Sequence, residues 1–277
     1  MRTVSNRWKW ISLIAFCATV VLNILANVIP LGGKNTGEIS ALYPSPLTPA
    51  PITFMIWAAI YVSLMIPVLY QFRSENGSDF ARFTGPLFLV SCIANMGWIF
   101  SWHFGSMILS LLFMVVLLVS LILLKKRIND PDTPWHDRWY LRLPYGLYTG
   151  WITVATVSQI SVWLMSIGFT GFGLPSQLLQ VIVLLIAGAI LTLGILVDRD
   201  PFYGIAAVWG YAGILIRHLS ASMLGGIYPW AIAAAFLCEV IFLGAIGMVI
   251  LRTSRLIRRL YPTDTKNIYK ERKYYET

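Results

Sequence analysis

Residues 106–124 read SMILSLLFMVVLLVSLILL, nineteen residues without a charge, and Lys125-Lys126-Arg127 follow at once. A helix needs about 20 mostly apolar residues to cross the hydrocarbon of a bilayer. Lipid offers no partner to a free N–H or C=O, so such a segment must satisfy its own backbone as a helix. The basic triplet marks the cytoplasmic end of that helix, because Lys and Arg are concentrated on that side.

Seven further stretches meet the same requirement: 10–30, 52–72, 84–103, 144–166, 177–197, 202–218 and 229–251. The third span of the chain, 84–103, joins the fourth through a tight turn at Phe104 and Gly105. The first begins on Arg2, Arg7 and Lys9, as a signal peptide would. Its apolar run is a full crossing, however, and no small-residue cleavage site follows, so a retained helix is expected. The expected fold class is an all-α integral membrane protein with about eight transmembrane helices.

Composition agrees. The 277 residues are 57% hydrophobic and 12% charged, with mean hydropathy +0.71. A soluble domain carries about 25% charged residues, so an ordinary cytosolic enzyme is excluded. The net charge of +9 would point to nucleic acid in a soluble protein. Here topology accounts for it. With the N-terminus inside, 19 of the 21 Lys and Arg residues fall on the cytoplasmic side, and only Lys34 and Arg217 fall outside. An even number of spans then puts both termini in the cytoplasm, the cell membrane is the expected location, and nucleic acid is not an expected partner. The tail from residue 253, with Arg255, Arg258 and Arg259 after Arg252, is expected to lie on anionic headgroups.

Two polar segments interrupt the spans. Residues 31–51 are extracytoplasmic and carry Pro44, Pro46, Pro49 and Pro51, which stiffen the chain and disfavour regular structure. A connection of that length is either a rigid linker or a lid. Residues 125–143 are cytoplasmic, and Trp135 and Trp139 there are expected to anchor at the headgroups. Cys17, Cys92 and Cys238 sit in apolar runs without metal-ligand spacing, so no metal site and only small core residues are expected. No phosphate-binding glycine loop and no HExxH pair occurs. His103, His136 and His218 assemble no catalytic set with a serine and an acid, and no catalytic residue is assigned.

Inside the spans, polar residues are costly and therefore informative. Glu239 is the acid deepest in a span, about ten residues into the last one, with no cation at its level. It is either a proton or ion site or a hydrogen-bonded structural group. A second set recurs at helical spacing: Asn23 and Asn27; Trp57 and Tyr61; Asn95, Trp98 and Trp102; and Trp151, Ala155, Ser158, Gln159 and Trp163. Residues three or four apart share a helix surface. These positions lie in the central and outer bilayer, beneath the proline-rich loop. They read either as an aromatic ligand pocket with a few hydrogen-bonding groups or as helix–helix packing glued by amides.

The same residues carry a family resemblance. Trp151-Ile152-Thr153-Val154-Ala155-Thr156-Val157-Ser158-Gln159 resembles the W-x-x-F-A-T-x-L-N run of the TspO/MBR family, the tryptophan-rich sensory or translocator proteins. Asn95-x-x-Trp98 is similar to its N-x-x-W, Trp57-x-x-Ile60-Tyr61 to its W-x-x-L-Y, and Leu143-Pro144-Tyr145 to its Pro-Tyr entry. The loop Tyr43-Pro44-Ser45-Pro46-Leu47-Thr48-Pro49-Ala50-Pro51 keeps the prolines of the family's K-P-x-W-x-P-P and lacks its lysine and tryptophan. Gln159 replaces an asparagine, and Phe54 is shifted by one position.

The resemblance covers residues 10–166. It implies a five-helix bundle over 1–170; the later spans add a three-helix module over 171–252, which the usual five-helix members lack, and the basic tail over 253–277 follows. It also implies a membrane receptor, sensor or transport-related protein without a resident cofactor. The implied partner is a small hydrophobic or tetrapyrrole-like ligand, held by Asn27, Trp57, Tyr61, Asn95, Trp98, Trp102, Trp151, Ala155, Ser158 and Gln159. A second copy of the chain, forming a homodimer, is a further expected partner. Two other readings remain: a proton- or cation-coupled transporter using Glu239, and a membrane enzyme acting on porphyrin.

Overall fold

The computed structural model describes the backbone of residues 2–29, 31–43, 45, 47–135, 138–169 and 171–260, and their side chains except 2–6, 172 and 254–260. Pro44, Pro46, His136, the side chains of Arg2, Arg255, Arg258 and Arg259, and the tail from residue 261 lie outside the described residues.

Among the described residues the chain is helical, with no strand. The helices are α1 (Arg2–Val28), α2 (Thr36–Leu42), α3 (Ile56–Arg73), α4 (Gly77–His103), α5 (Met107–Ile128), α6 (Trp139–Ser166), α7 (Ser176–Val197), α8 (Pro201–Leu219) and α9 (Pro229–Leu260). All but the short α2 coincide with the eight spans read from the sequence. Six segments, those containing α1, α3, α4, α5, α7 and α9, are long and apolar enough to cross a membrane on length and composition alone. The other two, α6 and α8, are richer in Gly, Thr, Ser and Tyr, and they pack against each other. The hydroxyls of α6 are neutralised locally: Thr149, Thr153 and Thr156 each donate to the carbonyl four residues back, at 2.6–2.8 Å. Such back-bonding lets a polar residue sit in a buried helix.

The outer surface carries Val62, Val197, Leu193, Phe236 and Leu243, each more than half exposed. Apolar exposure on this scale belongs to a protein solvated by lipid, not water. In lipid, burial of apolar area does not hold helices together. Close packing of small residues and interhelical hydrogen bonds do.

Helix α6 is the hub, packed on α3, α5 and α8, while α1 packs on α4, and α9 covers α7 and α8. Glycines set the α6–α8 approach. A Cβ at Gly150 would lie 2.5 Å from the Tyr203 carbonyl oxygen, and one at Gly210 would lie 2.7 Å from Val154 Cγ1. Apolar side chains gather in two clusters. One centres on Leu117, Leu121, Trp151 and Ile152, the other on Leu191, Tyr211, Phe242 and Ala235.

An ion cluster that the sequence analysis did not foresee joins these regions. Lys125, at the end of α5, is buried with its Nζ 2.9 Å from Asp198 Oδ2 and 3.0 Å from Asp200 Oδ2. The same Nζ sits 4.6 Å from the Tyr203 ring centre. Asp200 also caps α8, its Oδ1 accepting from the N–H groups of Phe202 and Tyr203.

Three local expectations are corrected. Residues 31–51 are not wholly irregular: α2 forms there, because Asn35 and Glu38 make a reciprocal capping box in a proline-free stretch. Trp135 is not a headgroup anchor. It is buried, with its ring edge-on to Phe80 at 5.3 Å, whereas Trp139 is exposed. Cys17 is exposed on α1, and only Cys92 and Cys238 are buried.

Candidate functional site

The residues singled out by helical spacing converge from four helices. Trp57 of α3 is the centre of an aromatic cluster. Its ring stacks on Tyr61 and on Trp98, both at 5.5 Å, and meets Tyr148 and Trp151 edge-on at 5.7 and 6.5 Å. Trp98 in turn stacks on Trp102 at 6.4 Å. Edge-to-face and offset contacts of this kind each add about 0.5–1.5 kcal/mol beyond area burial.

Beside the rings lies a fully buried amide node. Asn95 Oδ1 accepts from Asn23 Nδ2 at 2.8 Å and, at the long distance of 3.5 Å, from the Tyr61 hydroxyl. Asn95 Nδ2 donates to the Tyr148 hydroxyl at 2.9 Å. Helices α1, α3, α4 and α6 thus meet at one side chain. Tyr148 was not foreseen, although it sits three residues before Trp151 on the same face. Asn27 does not join the node. It is exposed, donates to the Asn23 carbonyl at 2.9 Å and accepts from the Thr36 N–H at 3.2 Å, tying α1 to α2.

Above the rings is a cavity of about 30 Å³, room for one or two waters. Trp98, Trp102, Trp151, Ala155, Ser158 and Gln159 form its walls, all foreseen. Phe54, Ser40, Thr48 and Pro49 close it from the loop side. Phe54 meets Trp151 edge-on at 5.9 Å, so the shifted phenylalanine still reaches the chamber. Trp57, Tyr61 and Asn95 pack behind the cavity without lining it. Trp163 is half-buried and packs against the first apolar cluster.

The polar chemistry of the cavity is lopsided. Trp98 Nε1, Trp151 Nε1, Gln159 Nε2, Ser40 Oγ and Thr48 Oγ1 are buried without a hydrogen-bond partner among the described residues. Three of the five are N–H groups that can only donate. Each unmet buried donor costs about 1–3 kcal/mol, so the cavity is poised for a molecule rich in acceptors.

The roof is held by both halves of the chain. The Ser158 hydroxyl donates to the Leu47 carbonyl at 2.8 Å, and the Ser45 and Ser161 hydroxyls are 2.6 Å apart. From the other side, the Ala50 N–H donates to the Gly213 carbonyl at 2.9 Å and Trp209 Nε1 to the Thr53 carbonyl at 2.8 Å. A helical turn, Pro51–Met55, carries the roof into α3.

Glu239 lies elsewhere. It is 8% exposed on α9, its Oε1 has no partner among the described residues, and it lines none of the cavities described here. Arg217 on α8 is also buried, and no ion pair joins the two among the described residues. His103 is buried, with Nδ1 2.8 Å from the Ile99 carbonyl oxygen, a local contact within its own helix. No group of three metal-ligating side chains occurs among the described residues.

Fold and site together define an all-helical integral membrane protein with a tryptophan-lined chamber under a clamped loop. The chain belongs to the TSPO-like protein family, whose model matches residues 9–248. That match runs through α7 and α8 and most of α9, so the last three helices lie within the family's own pattern as well as the first five. No curated protein and no solved structure matches the chain.

Proposed function

We propose that this protein is a membrane receptor or sensor, or a transport-related protein, that binds a small hydrophobic ligand in the chamber below residues 47–55. The observation that carries this reading is the convergence of five unpartnered polar groups on one aromatic-walled cavity. Buried donors without a partner among the described residues also occur at Trp57 Nε1 and Trp135 Nε1, but here three belong to side chains that line one cavity. The ligand class is a flat or ring-bearing molecule with hydrogen-bond acceptors, a description that a tetrapyrrole meets. Such a ligand far exceeds the 30 Å³ of the closed chamber, so its entry requires the roof to lift. The reading places residues 31–51 outside the cell membrane and both termini in the cytoplasm, with the tail on anionic lipid.

Titration of the purified chain with protoporphyrin IX, followed by tryptophan quenching, tests the proposal. Saturable quenching is expected. Gln159→Leu, which removes one donor, should weaken it about threefold to tenfold, the worth of one hydrogen bond. Trp151→Phe should weaken it as well, and because Trp151 is fully buried its melting temperature should also fall. Non-saturable quenching, or variants that bind like the parent, would remove the chamber as a tetrapyrrole site.

A coupled transporter is the second reading, favoured only by the buried carboxyl of Glu239, whose Oε1 has no partner among the described residues.

A further inference from the structure

A larger cavity, about 560 Å³, lies between α6 and α7, separate from the tryptophan chamber. Its size falls within the 300–1,000 Å³ typical of small-molecule sites. The walls are aliphatic, with Val157, Ile160 and Leu164 on α6 facing Leu179, Val183 and Ile186 on α7. Phe169 and Leu174, from the α6–α7 connection, and Tyr228, just before α9, close one end. Among the described residues no charged side chain lines it. Ile160, Ile186 and Ile190 line it and are also 40–56% exposed, so the cavity opens sideways onto the lipid-facing surface.

The polar lining residues are Ser176, Tyr228, Gln180 and Ser161, whose hydroxyl is 2.6 Å from that of Ser45. Gln180 lines the cavity, is only 5% exposed, and its Oε1 has no hydrogen-bond partner among the described residues. A buried amide oxygen without a donor is costly, and the membrane around it supplies few donors. The occupant must therefore combine a long aliphatic portion with a neutral donor group. A carboxylate or phosphate would be stranded, because no cation lines the walls.

We infer that the α6–α7 cleft is a lateral binding site for an uncharged, hydroxyl-bearing long-chain lipid, whose hydroxyl donates to Gln180 while its chain fills the aliphatic walls. The site does not depend on a ligand in the tryptophan chamber. The two are nonetheless neighbours. A void of about 10 Å³ shares Leu47, Val157 and Ala187 with the lipid cavity and Ser158 with the chamber.

The test uses the full chain in nanodiscs and hexadecanol carrying a diazirine in its chain. After photolysis, peptide mapping should place the label on α6 residues 157–165 and α7 residues 179–190. Excess hexadecanol should suppress labelling better than excess hexadecanoic acid. Gln180→Leu keeps the volume and removes the acceptor, so that preference should shrink about fivefold. Ala187→Phe fills the cavity and should abolish specific labelling. Should that variant fail to fold, Ile186→Trp, at a lipid-exposed position, narrows the opening and gives the same reading. Label spread evenly over the lipid faces of α1, α5 and α9 and indifferent to Ile186→Trp would overturn the site. An unchanged preference for the alcohol in Gln180→Leu would overturn the role given to the hydroxyl.

Discussion

Replacing Lys125 with methionine removes the cation from the Asp198–Asp200 cluster while keeping most of the side chain's length. The two carboxylates then fare differently. Asp198 is 42% exposed and recovers solvent, so its share is about 0–1 kcal/mol, as for surface pairs. Asp200 is 1% exposed and would be left as a buried, unneutralised carboxylate, which typically costs about 3–5 kcal/mol. The contact with the Tyr203 ring adds about 0.5–2 kcal/mol. The Asp200 term therefore dominates, and Lys125→Met should lower the apparent melting temperature in detergent by about 10 °C. Asp198→Asn should cost only a degree or two. Asp200→Asn keeps an oxygen to cap α8 but leaves Lys125 buried with one half-exposed partner, so an intermediate loss is expected. The decisive variant is the double one. Lys125→Met with Asp200→Asn carries no buried charge, so it should melt above Lys125→Met alone. Additive losses in the double variant, or a Lys125→Met loss no larger than that of Asp198→Asn, would refute a coupled buried cluster.

Three further outcomes are open to measurement. Gly150→Ala should destabilise the protein by about 1–3 kcal/mol, since its Cβ would meet the Tyr203 carbonyl oxygen, which cannot rotate away; thermal unfolding measures it. Glu239→Gln should fold like the parent and Glu239→Leu should melt slightly lower if the carboxyl is structural; loss of proton-coupled liposome flux in the folded Gln variant would instead support the transporter reading. Reporter fusions at Asn35 and after Thr277 should report opposite sides of the membrane, and finding both on one side would sink the even-span topology.

The spans were legible because lipid imposes one rule on every segment, and an apolar run of full length has a single solution. The tryptophan positions were legible for a second reason: Trp57 and Tyr61, or Trp98 and Trp102, meet through periodicity alone. What periodicity cannot fix is the rotation of one helix against the next. Asn27, one turn along α1 from Asn23, was grouped with it but binds α2 instead. Lys125 was read as a topology marker, because its partners lie over seventy positions away and only the helix packing brings them within 3 Å. The capping box of α2 had a local signal, Asn35-Thr36-Gly37-Glu38, which the prolines that follow obscured.

The roof of the chamber bears on why the described residues form eight long helices. In a five-helix bundle, residues 45–55 would be held by α6 alone, through Ser158 and Ser161. Here α8 supplies a second grip, and it does so with backbone and indole groups: the Gly213 carbonyl and Trp209 Nε1. The approach is tight enough that a Cβ at Gly213 would collide with the Thr53 side chain. A roof clamped from two sides cannot lift by breaking one bond. It must part from α6 and from α8, and α8 is itself tied to α5 through Asp200 and Lys125 at the far end of the same helix. Movement of α8 would strain a buried ion pair at one end and would still leave the roof held to α6 by Ser158 and Ser161. That geometry gives the last three helices, through α8, a physical part in the chamber that the first five helices build.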